Sequence, residues 1–332
     1  MKKIGVLLVL ILILTVIFFA CRKEEPSYPE LVLRYADNQV DGYPTVEAAK
    51  YFASLIYERT GGKIEIRIYP GSTLGSENSV MQQMFYGGID LSRFSLGTLS
   101  QHFAELWTLH LPYLYTDSDH MWRVLDGPIG DMYLRQMEDK NLIGLAWYDA
   151  GARSFYTRTP ITDIASMHGL TIRVIENDMI GQAVALLGAE TVQIPYADVY
   201  SALQKMRIDG AENNLPSYVA TGHYQAAPYF FQNEHFRLPE VVVMSTNAKA
   251  KIEAVDPSFI EVFKECAKLS GLYERKLWKE EEKRAYQVAL DSGVKFTVLS
   301  ETDLLRLREA MEPLYQELGE KEREIVQRIG DT

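Results

Sequence analysis

The stretch LVLRYADNQVDGYPTVEAAKYFASLIYERTGGKIEIRIYP, residues 31–70, decides how the rest of the chain reads. Ala49, Phe52, Ala53 and Ile56 fall at helical spacing between about Val46 and Arg59, and Gly61 and Gly62 end that helix. Beyond the glycines, Ile64, Ile66 and Ile68 alternate with Lys63, Glu65 and Arg67, the period of a half-buried strand. Residues 31 to 37 read as a strand as well. Strand, helix and strand within these 40 residues form a parallel crossover, since antiparallel neighbours need only a tight turn.

The same alternation runs outward from there. A helix near 77–86 is closed by Gly87 and Gly88 and followed by the short strand IDLSRFS (89–95). A helix over about 119–139 precedes the strand NLIGLAWYD (141–149). A second series follows: LTIRV (170–174), the helix MIGQAVALLG (179–188), TVQIP (191–195), a helix over 197–207 carrying Val199, Ala202, Leu203 and Met206, and DGAENN (209–214). The pattern predicts an α/β protein of two lobes, each with a mostly parallel sheet. From Asp256-Pro257 the helical pattern is unbroken to Ser292 and Gly293, too long for one small lobe. The strand VKFTVL (294–299) and a terminal helix from about Glu301 to Ile329 complete the chain.

The chain has 332 residues, 47% apolar and 24% charged, enough for two well-cored domains. Its net charge of −11 argues against a nucleic-acid partner, which needs a broad basic field. Any anion it binds must be held by a few local cations. Lys2 and Lys3 precede an apolar run from Ile4 to Cys21, the form of an export signal. The run ends FFAC, which resembles a lipoprotein signal over residues 1–21, with Cys21 as the lipid-bearing first residue of the mature chain and Phe18 departing from the usual aliphatic residue. The alternative is an uncleaved anchor, the 18 residues being just long enough to span a bilayer. Residues 22–30 read as a tether to the fold. The other cysteine, Cys266, shares a helical face with Phe259, Val262 and Phe263 and is expected in the core.

Catalytic signatures are missing. The six histidines are scattered, with no H-E-x-x-H and no cysteine pair for zinc, and neither a Walker loop nor a dinucleotide fingerprint occurs. No metal and no cofactor is expected. Polar residues instead gather where strands end, the edge at which open α/β sheets bind ligands. Asp37 and Asn38, Glu77, Asp149 with Arg153, Arg173 with Glu176 and Asn177, and Glu212 with Asn213 all fall there, near Trp147, Tyr148, Tyr156 and Tyr196. For Arg173 two readings stand open: a structural salt bridge to Glu176 or Asp178, or a bidentate grip on a ligand carboxylate.

In order and spacing, AAKYFASLIYERTGGKIEIRIYPGSTLGSE (48–77), LPYLYTDSDHMWRVLDGPIG (111–130), GLTIRV (169–174) and GAETVQIPYADVYSALQKMRIDGAENN (188–214) resemble the solute-binding proteins of TRAP transporters, the DctP family. The resemblance covers nearly the whole mature chain. It implies a non-enzymatic, two-lobed receptor of the periplasmic-binding-protein kind, which closes on a small organic acid and delivers it to the small and large integral membrane permease subunits. The family's central arginine falls on Arg173, a second on Arg153 in GARSFYT, and its ligand-binding amide on Asn213. The matching turns of the other lobe nominate Asp37, Asn38 and Glu77, with Asp37 standing where histidine or asparagine is commoner. The resemblance further implies discontinuous lobes: 31–150 with 245–278, and 151–244 with 279–332, joined near Asp149–Ala152, near Met244–Thr246 and along a helix that crosses both.

The run AENNLPSYVATGHYQAAPYF (211–230), with Asn214 in place of the usual proline, resembles the branch associated with uronic and related sugar acids. A hexuronate needs one carboxylate clamp and several partners for hydroxyls, for which Glu77, Glu212, Asn213 and His223 are candidates, with Trp147 and Tyr196 beside them. The alternatives are a receptor for a C4-dicarboxylate or keto acid, which would want a second cation, a sensor presenting its ligand to a signalling partner, or a secreted enzyme acting on sugar acids.

Overall fold

The structure, a computed structural model, describes residues 28–332. The leader, Cys21 and most of the tether lie outside the described residues. Two mixed sheets carry the lobes. The first has the order β2 (Ile64–Tyr69), β1 (Leu31–Ala36), β3 (Leu91–Ser95), β10 (Glu240–Ser245), β4 (Leu142–Tyr148). The second has the order β11 (Lys295–Val298), β9 (Tyr229–Arg237), β5 (Ala152–Thr157), β8 (Gly210–Asn213), β6 (Thr171–Val174), β7 (Glu190–Gln193). β1 and β2 pair in parallel, Leu31 against Ile64 through Ala36 against Tyr69, with the helix Pro44–Arg59 between them, as the opening crossover predicts.

Each sheet holds one strand that runs against both of its neighbours: β10 between β3 and β4, and β5 between β8 and β9. Both are among the first strands laid down after the chain passes from one lobe to the other. Such a strand begins at the edge where its parallel neighbours end. Covered by helices on both faces, β10 reads as an apolar run: Val241 and Val243 enter one core layer, Val242 and Met244 the other.

Pairing of β10 in the first sheet corrects the expected lobe boundary. The chain crosses at Leu238 and Pro239, not near Met244–Thr246, because Glu240–Ser245 is a central strand of the first lobe. The predicted terminal helix is three, Glu301–Ala310, Glu312–Gln316 and Glu320–Gly330, punctuated by Pro313 and Gly319. The last of them leaves the second lobe. Ile325 and Ile329 pack into the first lobe's core, and the carbonyl of Ile329 lies 2.8 Å from His120 Nε2, so 320–332 is corrected to the first lobe. The helix expected over 119–139 breaks at Gly127-Pro128 into Ser118–Leu125 and Pro128–Gln136.

The long helix Phe259–Asp291 joins the lobes. Its first half buries Phe263, Cys266 and Ala267 among first-lobe residues, and Ala285 and Ala289 pack into the second lobe with Leu203 and Tyr218. Between them Trp278 meets Tyr43 edge-on at 5.9 Å beside the crossing at Asp149–Ala152. There Asp149 ties the crossing together, accepting from Trp122 Nε1 at 3.1 Å and from the Gly151 amide at 2.8 Å, while its own amide donates to Glu274 Oε2 at 2.8 Å.

Gly151 takes a left-handed conformation, φ +58°, and a Cβ there would stand 2.7 Å from Glu282 Oε1 and 3.0 Å from Trp278 Nε1. Gly151→Ala therefore combines a left-handed penalty of about 1 kcal/mol with crowding of about 1–3 kcal/mol, offset in part by about 0.4–1 kcal/mol from alanine's lower unfolded-chain entropy. Urea denaturation should show a loss of roughly 1–3 kcal/mol; a midpoint equal to wild type would contradict this picture of the crossing.

Candidate functional site

Between the lobes lies a cavity of about 320 Å³. From the second lobe it is lined by Arg153, Arg173, Tyr196 and Asn213, and from the first by Asn38, Glu77, Arg93 and Glu240. Parallel strands deliver Arg173 and Asn213 at their carboxyl ends, and the antiparallel strands deliver Arg153 and Glu240 near their starts. Topology thus brings four side chains from different strands to one gap.

The three arginines differ in what neutralises them. Arg153 grips Glu212 with Nε and Nη2, the latter at 2.8 Å, and reaches Asn213 Oδ1 with Nη1 at 2.9 Å. Glu212 is fully buried beneath it. Arg93, 1% exposed, is bound on every side: Nη2 donates to Asp37 Oδ1 at 2.5 Å and to Asn38 Oδ1, and Nη1 to Glu77 Oε1 at 2.7 Å and Glu240 Oε1 at 3.0 Å. Arg173 is different. Its Nε donates to the carbonyl of Ile194 at 2.8 Å, which fixes the plane of the fork, and no carboxylate among the described residues is within 4 Å of it. Burial holds its pKa below the ordinary arginine value, with Glu212 partly offsetting that. The salt bridges to Glu176 or Asp178 do not form; Glu176 lines the cavity and Asp178 accepts from Gln193.

Of the side chains nominated by sequence, Arg173, Arg153, Asn213, Glu77, Asn38 and Tyr196 line this cavity. Asp37 and Glu212 stand one layer behind, each holding an arginine in place. His223 also lies behind the wall: its Nδ1 is 2.7 Å from the Tyr156 hydroxyl, and burial, then Arg173, push its pKa down to about 3. A neutral imidazole there adds no second positive charge beside Arg173. Trp147 is elsewhere. Strand alternation turns it into the first lobe's core with Leu125 and Tyr133, where it lines a separate hollow, so its place near the ligand is corrected.

Sequence reasoning missed Arg93 and Glu240. Arg93 falls on the same face of β3 as Leu91, and the covering elements leave all five residues of that strand buried. Glu240 opens its strand, and the expectation covered strand ends. Asn214, the departure from the usual proline, caps the helix Leu215–Ala220, its Oδ1 accepting from the Ser217 amide at 2.7 Å.

Hydrogen bonds close the gap between lobes. The Tyr196 hydroxyl donates to Gln39 Oε1 at 3.1 Å, the Tyr43 hydroxyl is 2.9 Å from Ser217 Oγ, and Asn177 Nδ2 donates to the Gly97 carbonyl at 2.7 Å and to Ser100 Oγ at 2.9 Å.

A family model for bacterial extracellular solute-binding proteins, family 7 (DctP), matches residues 35–322. The chain belongs to that family. The chain is similar to the structure of a TRAP periplasmic solute-binding protein from Bradyrhizobium sp. BTAi1 in complex with α/β-D-galacturonate, 37% identical, TM-score 0.86, covering 90% of this chain and 99% of that one. A second, from Roseobacter denitrificans with bound β-D-glucuronate, is 32% identical with TM-score 0.84 and covers 90% and 98%. A solute-binding protein of Chromohalobacter salexigens is 32% identical over 290 residues, 87% of this chain and 85% of its own length.

The Arg93 cluster sets a clear expectation. Arg93→Leu leaves three buried carboxyls without their cation, which should cost about 3–5 kcal/mol at neutral pH. Chemical denaturation measures the loss; a stability equal to wild type would contradict the charge accounting.

Proposed function

We propose that the protein is the extracytoplasmic receptor of a TRAP transporter, that it captures a uronate or closely related sugar acid, and that Arg173 holds the ligand's carboxylate. One observation carries the reading: Arg173 is the cavity's one guanidinium, among the described residues, without a carboxylate partner. A fork with both terminal nitrogens open matches a carboxylate's two oxygens, and its attraction is strongest where water is excluded. A dicarboxylate would find no second cation, since Glu212 neutralises Arg153 and three carboxyls surround Arg93. Hydroxyls find partners in plenty, from Asn38 and Glu77 on one wall to Asn213 and Tyr196 on the other. The galacturonate and glucuronate bound by the similar proteins support the same ligand class.

His223 lies behind the cavity wall, its pKa pushed down to about 3 by burial and then by Arg173. We read the function as capture and release, with the lobes moving about the crossings and the long helix. The loaded, closed form is delivered to the small and large membrane permease subunits, from a tether that begins at a lipid on Cys21.

Losing the partner of a desolvated charge costs about 2–5 kcal/mol, so Arg173→Ala should weaken sugar-acid binding roughly thirty-fold to several thousand-fold. The fold should persist, because Arg173 makes no ion pair. Calorimetry with D-galacturonate and D-glucuronate measures the change; unchanged affinity would remove Arg173 from the clamp.

A further inference from the structure

Asn177 stands four residues past Arg173 and serves both lobes at once. Its Oδ1 accepts from the Ile180 amide at 3.0 Å and caps the second-lobe helix Asp178–Ala185. Its Nδ2 crosses the gap to the first-lobe helix Leu96–His102, donating to the Gly97 carbonyl at 2.7 Å and to Ser100 Oγ at 2.9 Å. A carboxamide nitrogen carries two hydrogens, and both are used. On the receiving side Ser100 Oγ donates to the Gly97 carbonyl at 3.0 Å and lies 2.8 Å from Nε2 of the fully buried His110. Asn177 and Ser100 are buried as well. The approach depends on glycine at 97, since a Cβ there would stand 3.3 Å from Ile175 Cγ2 and 3.4 Å from Ile180 Cδ1, both on the facing lobe. Asn177, Gly97 and Ser100 do not themselves line the cavity; their neighbours Ser95, Thr98 and Ile175 do.

We propose that Asn177 is a positioning residue for ligand capture, a latch that holds the lobes together beside the cavity and so sets how long a ligand stays. This rests on the reading of the protein as a receptor that closes on a sugar acid, and it assigns part of the affinity to a contact the ligand does not make. Parting the lobes takes Nδ2 from both acceptors yet leaves the cap whole, because Oδ1 and the Ile180 amide belong to the same helix end. The latch therefore opposes release and not entry: a ligand arrives while the contact is open and leaves after it breaks. Its neighbours tie it to both walls. The Ile175 amide donates at 3.3 Å to Glu212 Oε1, on the carboxylate that grips Arg153, and Thr98, between Gly97 and Ser100, donates to Glu77 Oε2 at 2.6 Å.

The test is calorimetry and stopped-flow fluorescence with D-galacturonate and D-glucuronate on wild type, Asn177→Ser, Asn177→Ala, Ser100→Ala and the double variant Asn177→Ser/Ser100→Ala, with urea denaturation of each ligand-free protein. Asn177→Ser keeps a capping oxygen but is too short to reach across, so it should bind about ten-fold more weakly, the loss lying in faster release with association within about two-fold of wild type. Asn177→Ala should bind within about two-fold of Asn177→Ser yet unfold at lower urea, because the cap is lost too. Ser100→Ala removes one of the two acceptors and should release ligand about three-fold faster; added to Asn177→Ser it should change affinity by no more than about two-fold, since both act on one contact. Release at the wild-type rate in Asn177→Ser or Ser100→Ala, or a loss carried by slower association, overturns the latch and leaves the receptor reading standing. Wild type that binds no sugar acid overturns both.

Discussion

A guanidinium that cannot lose its proton, buried in a protein of net charge −11, and left without a carboxylate: this is the constraint on which the site depends. Burying an unpaired charge is costly, and chains normally avoid it by pairing. Here the chain pairs Arg153 with Glu212 and Arg93 with Asp37, Glu77 and Glu240, yet leaves Arg173 with a single backbone acceptor. On the proposed reading a ligand carboxylate supplies the missing partner, and its pairing with Arg173 provides affinity and a reason for the lobes to close. On the same reading, two paired arginines beside an unpaired one set how many carboxylates a ligand can bring.

The topology explains why the site can be built at all. Parallel strands place their last residues at the gap, and each sheet's one reversed strand places its first residues there too. Arg153 and Glu240 arrive that way, each shortly after a crossing between lobes. The crossings that allow hinge motion are therefore also the means of delivering charged groups to both walls. Glu212 and Asp37 take the layer behind and orient the arginines, so the wall is held by groups that do not themselves line the cavity.

That division sets what the sequence could reveal. The crossover in 31–70 was legible because periods of 3.6 and 2.0 are local properties, and so was Cys266, whose helical neighbours are apolar. Arg173 stood out as a charge at the end of an otherwise alternating strand. Arg93 did not, because LSRFS carries polar residues on both faces and shows no clean alternation, and only the packing of distant segments buries it. Glu240 escaped because a strand's direction within its sheet is set by its pairing, which no local pattern encodes. The lobe boundary at Leu238–Pro239 and the return of the last helix to the first lobe were hidden for the same reason. Resemblance to the DctP family led to Arg153 and Asn213 where residue patterns alone offered a wider list, and the position of Trp147 shows how adjacency to a strand end misleads when alternation turns a side chain to the other face.

The account stands on an electrostatic partner that the ligand must provide, and one comparison isolates it. Calorimetry of the wild-type protein with D-galacturonate and with D-galactose presents nearly the same ring and hydroxyls with and without the carboxylate. The account predicts that galactose binds at least about thirty-fold more weakly. Affinities within a few-fold of each other would contradict it, since the open guanidinium would then contribute nothing to capture.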